Sequence, residues 1–114
     1  MMIIAFSTKT SKILPRIFCG RLKHVAPIVI DDDKIVLYQF VQMGKIVQIP
    51  IQARDINILA AHGWQFVYLT RTSPQSIDGK RIYTCVHLAK IMIGIKCARI
   101  QTPNRLYKEI AQWY

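Results

Sequence analysis

The chain is built from short apolar runs broken by polar or turn-forming stretches, and the spacing inside each run predicts its form. Residues 2–6, "MIIAF", are a continuous apolar stretch of strand length and predict a buried first strand. The segment "STKTSKILPRIFCG" offers Ser and Thr caps, then Ile13, Leu14, Ile17 and Phe18 at helical spacing, with Gly20 as a stop. Pro15 has to lie in the first turn, so this helix over 11–19 is short. "HVAPIVI" predicts a strand that ends in the acidic turn "DDDK", and "IVLYQF" predicts its partner. Past Met43-Gly44, Val47, Ile49 and Ile51 alternate with Gln48, Pro50 and Gln52, the pattern of a sheet with one wet face.

The second half reads in the same way. "ARDINILAAHG" is a helix stopped by Gly63, "WQFVYLT" a strand, and "RTSPQSIDGKR" a loop. "IYTCVHLAKIMIGI" turns helical near Thr84 and ends at Gly94. Thr102-Pro103 is an N-cap and first-turn pair that opens "NRLYKEIAQWY" as a last helix. The predicted order is β-α-β-β-β-α-β-α-α, with no repeats: an α+β domain with a mainly antiparallel sheet packed against helices.

Length bounds this reading, because 114 residues leave room for one core and so for a single domain over 1–114. Hydrophobic residues are 52% and charged residues 19%, which excludes a disordered tail. No apolar run approaches the roughly 18 residues that a transmembrane helix needs. The start, "MMIIAFSTKT", lacks the basic region and cleavage site of a signal peptide. Synthesis in the cytoplasm is therefore expected, with virion packaging, lysis or delivery to the cell envelope as routes that need no signal.

Charge narrows the partners. The net charge is +10, with Lys9, Lys12, Arg16, Arg21 and Lys23 preceding the first acid at Asp31, and Glu109 the single acid after Asp78. The excess favours an anionic partner such as nucleic acid, anionic lipid or an acidic cell-wall polymer, although a merely solvated basic face also accounts for it. Cys19, Cys85 and Cys97 are odd in number and lack Cys-x-x-Cys spacing, which argues against a disulfide framework or a zinc site.

Cys85 is the residue with chemical promise. If the helix begins at Thr84 or Cys85, the thiol meets unpaired backbone N–H groups and the positive end of the helix dipole, a setting that favours thiolate. A buried cysteine in an apolar helix is the competing explanation, and Cys19 and Cys97 both read as core fillers. A nucleophile needs a base within hydrogen-bond reach. His24 opens a strand after the basic loop and is placed to project into a cleft, His62 is explained by capping at a helix end, and His87 faces solvent or a neighbouring loop. The Cys85 N–H is the simplest oxyanion donor, with Tyr38 and Tyr83 read as core or rim aromatics and Trp64 and Trp113 as packing residues.

The segments "HVAPIVIDDDKIVLYQF", "GKIVQIPI" and "YTCVHLAKIMIGI" together resemble the circularly permuted papain-fold hydrolases of the NlpC/P60 superfamily. In that group a His-Val pair opens an early strand, a polar residue follows on the next strand, and a late Ser/Thr-Cys-Val starts a helix. The resemblance runs from about Phe6 to Tyr107 and includes the closing Thr-Pro-x-x-Leu-Tyr helix frequent in small phage and bacterial members. It implies a permuted papain-like fold with Cys85 as nucleophile, His24 as base and Gln39 where the family usually has a glutamate; Gln42 is a weaker candidate for that role. Gln39 can accept from the imidazole N–H but offers no negative charge, and a solvent-facing strand position explains it equally well.

The function implied is a cysteine peptidase or amidase cleaving an amide bond, most simply a peptidoglycan peptide or isopeptide, with no cofactor and no metal. The alternative is a weak or inactive papain-like module that binds nucleic acid or a host protein. A membrane-surface acyltransferase is a third option, resting on the amphipathic 11–19 stretch.

Overall fold

The structure, a computed structural model, describes residues 1–7, 24–40 and 45–113. Among these it has five strands and three helices: β1 Met2–Ser7, β2 His24–Asp31, β3 Lys34–Phe40, β4 Ile46–Ile51, α1 Ala53–Ala61, β5 Gln65–Leu69, α2 Cys85–Ile93 and α3 Pro103–Ile110. The expected helix over 11–19, Cys19 and Gln42 lie outside the described residues. The strands form one sheet in the order β4-β3-β2-β1-β5, and every pairing is antiparallel. The domain is therefore α+β, as the periodicity predicts. No helix among the described residues is long and apolar enough to cross a membrane.

Local chemistry accounts for the joints. The β2–β3 hairpin closes through Asp32, whose φ of 51° lies in the left-handed region that Asp tolerates better than most residues. The β2–β3 ladder runs from Asp31↔Lys34 to Ile28↔Leu37 and stops there. The next residue of β2 toward its start is Pro27, which has no N–H to donate to a neighbouring strand. Among the described residues the first half of β2 is consequently paired with β1 alone, down to the terminal pair Ser7↔His24. Pro50 sits on β4, an edge strand, where proline is tolerated.

Two hydrophobic layers enclose the sheet. Successive strand residues point to opposite faces. Met2, Ile4 and Phe6 of β1, Val25 of β2 and Leu69 of β5 meet Val86, Leu88, Ala89 and Met92 of α2 and Leu106 and Ile110 of α3. Ile3, Ala5, Ala26 and Ile28 point the other way, toward Ile56 of α1, Trp64 and Phe66. All six residues of β1 are buried, which explains its unbroken apolar run. The α2–α3 layer is the deeper one. Leu88 is fully buried and Phe6 meets Tyr107 edge-on, with centroids 5.2 Å apart. By contrast α1 has no fully buried residue.

Candidate functional site

Cys85 is the first residue of α2. Thr84 is the N-cap: its hydroxyl oxygen accepts from the His87 N–H at 3.0 Å, while its carbonyl accepts from the Leu88 N–H at 3.0 Å. Gly94 closes the helix with φ of 94°, a conformation glycine adopts at little cost. The apolar residues of α2 then seat it on β2 and β3. Cys85 itself is half-buried and packs against the edge of the α2–α3 layer.

His24 opens β2, as expected, but its ring lies in the other layer. It shares the face of Ala26 and Ile28, and Trp64 meets it edge-on, with ring centroids 5.9 Å apart and planes at 84°. Burial there lowers the imidazole pKa from its ordinary 6.5 and keeps the ring neutral at neutral pH. Trp64 packs against the second layer, as expected, and its ring meets the imidazole there.

Gln39 is a half-buried residue of β3, paired with Val47 of β4. Alternation sets it on the face of Ile35 and Leu37, which is also the His24 face. Among the described residues no hydrogen bond joins Gln39 to His24. The sheet therefore lies between Cys85 and the two residues expected to serve it. Gln39 and His24 share a face, and Cys85 stands on the opposite one.

The other histidines are held locally. His62, at the end of α1, uses Nδ1 to bond the Ile58 carbonyl at 2.8 Å, so Nδ1 carries the proton. His87 accepts the Tyr83 N–H on Nδ1 at 3.2 Å, which puts the proton of the neutral ring on Nε2. The Tyr83 ring, 66% exposed, stacks on His87 at 5.5 Å with planes 11° apart. This stacked pair flanks the Cys85 end of α2. Its signal in the sequence was the four-residue spacing of two rings across a helix start.

Two expectations need correction. Cys97 is exposed, because it follows Gly94 in the α2–α3 connection and not on the apolar face of α2. Trp113 is 40% exposed, and its Nε1–H donates to Glu109 Oε1 at 3.4 Å, so it is not a core residue. Tyr38 packs against the α2–α3 layer, in keeping with a core or rim aromatic. Among the described residues no group of three or more His, Cys, Asp or Glu could hold a metal ion.

No protein-family model, no curated protein and no solved structure matches the chain.

Proposed function

We propose that this α+β domain is a binding module for an anionic partner, with nucleic acid or an acidic host protein as the partner classes. The observation that carries this reading is the separation of Cys85 from His24 by the sheet. A thiol becomes an efficient nucleophile when a base within hydrogen-bond reach takes its proton, and His24 instead packs against Trp64 in the other layer. The net charge of +10 supplies the complementary half of the argument, because unneutralised cations attract polyanions by releasing their counterions. The test is fluorescence anisotropy of the full chain with a labelled single-stranded oligonucleotide and with polyglutamate across a salt series. Binding that weakens steeply with salt supports the proposal, and no binding to either polyanion at low salt overturns it.

The position of Cys85 favours a second reading, the cysteine hydrolase of permuted papain-like fold that the resemblance implies. A half-buried cysteine at the first position of a capped helix seated on an antiparallel sheet supports such a frame. Peptidoglycan peptide bonds and isopeptides are the corresponding substrates, attacked by Cys85 with His24 as base. This reading requires labelling by a thiol-directed acyl probe to disappear in both Cys85→Ala and His24→Ala. Unchanged labelling of His24→Ala eliminates the pair.

A further inference from the structure

The connection after α2 and the outer face of α3 line an open cleft of about 500 Å³. We propose that this cleft binds the phosphodiester backbone of single-stranded nucleic acid, an inference that rests on the binding-module reading above and gives it a place and a ligand chemistry.

Three cations converge on the cleft: Arg99 from the connection, and Arg105 and Lys108 from α3. All three are exposed, and among the described residues none is paired with an acid. Arg105 and Lys108 are three apart on a helix and so lie side by side on one face. Arg105 also sits in the first turn of α3, where the helix dipole disfavours a cation. Helix stability gives no reason for that charge, but an anion in the cleft would.

The one acid of the lining, Glu109, is engaged by the Trp113 indole at 3.4 Å. This contact places the 40% exposed Trp113 ring beside Glu109, just past the end of α3. Ile95 and the buried Ile100 give the cleft an apolar floor. Arginine forks match phosphate oxygens, and the Trp113 indole, which reaches the cleft through its contact with Glu109 and does not itself line it, offers a stacking surface to a base, the combination by which single strands are held without sequence preference. An acidic polypeptide would use the cations but leave the ring without a planar partner, so the phosphodiester is the better match.

The experiment measures anisotropy of a labelled 20-nucleotide single-stranded DNA with the parent chain and three variants across a salt series. The variants are Arg105→Gln/Lys108→Gln, Trp113→Ala, and Lys34→Gln/Lys45→Gln as a control outside the cleft. All the altered cations are exposed, so the fold is retained, and circular dichroism verifies this. Each phosphate contact contributes about −0.7 to the slope of log K against log salt, so the cleft pair should flatten the slope by about 1.4. Trp113→Ala should weaken binding roughly tenfold, the worth of stacking one base. The Lys34/Lys45 pair should change less than the cleft pair. Equal losses in the two pairs overturn the cleft but leave the binding module standing. Binding of polyglutamate without binding of DNA overturns the phosphodiester class and keeps the module. Failure to bind either removes both proposals.

Discussion

If the sheet separates Cys85 from His24, the titration of the thiol must be indifferent to the imidazole. The perturbation is His24→Ala in a background carrying Cys19→Ser and Cys97→Ser, which leaves Cys85 as the single thiol. An imidazolium about 4 Å from a thiolate, at an effective dielectric near 20, stabilises it by about 4 kcal/mol, or roughly three pKa units. Deleting such a partner would raise the thiol midpoint by that order. In this structure the ring sits beside Trp64 in the opposite layer, and burial leaves it neutral at neutral pH. A neutral ring across the sheet has no charge to contribute, so the expected shift is below about 0.3 units. The assay is the rate of iodoacetamide alkylation, followed by mass spectrometry, between about pH 4 and pH 10. A midpoint that rises by about one unit or more in His24→Ala refutes the two-layer assignment and restores the catalytic pair.

The remaining predictions concern stability. Because the folded pKa of His24 lies below its ordinary 6.5, the unfolded chain takes up the proton first as the pH falls. The His24 contribution is therefore present in full above about pH 6.5 and declines below it until the folded ring also protonates; urea unfolding at several pH values should show this, and His24→Phe should remove it. Thr84→Ala deletes the cap on the His87 N–H and should cost about 1 kcal/mol, which for 114 residues corresponds to a Tm lower by about 4 °C in calorimetry. Leu88→Ala, at a fully buried site, should cost about 2–5 kcal/mol in urea unfolding, whereas Ile58→Ala, at a 52% exposed position, should stay within about 0.5 kcal/mol. Similar losses at the two sites would contradict the burial of Leu88 and the exposure of Ile58.

Much of the fold was legible in the sequence because its punctuation is chemical. Thr84 and Gly94, Thr102 and Pro103, and Gly63 mark helix ends whose caps the structure contains, and the acidic turn after Ile30 closes the expected hairpin. The first position of Cys85 in α2 followed from the same logic. The depth of the α2–α3 connection was not legible. Cys97 and Trp113 are apolar by type, and their exposure depends on where the chain leaves Gly94 and where α3 ends.

The face on which the expected partner of Cys85 lies has a more specific cause, which is found in β2. A strand exposed on one face declares its phase by alternating polar and apolar residues, but "HVAPIVI" is apolar at every position after His24 because both of its faces are covered. Its phase is set by which residues the two layers select: Val25 and Val29 toward α2, Ala26 and Ile28 toward Trp64. Residue 24 follows the second set. A shift of one residue in the pairing with β1 would carry the imidazole to the Cys85 face and reverse every other side chain of the strand with it. That would exchange the places of the bulky Val25 and the small Ala26, so packing resists the slip. Whether this protein has a catalytic pair thus reduces to the register of one buried strand, fixed by the sizes of residues that have no part in catalysis.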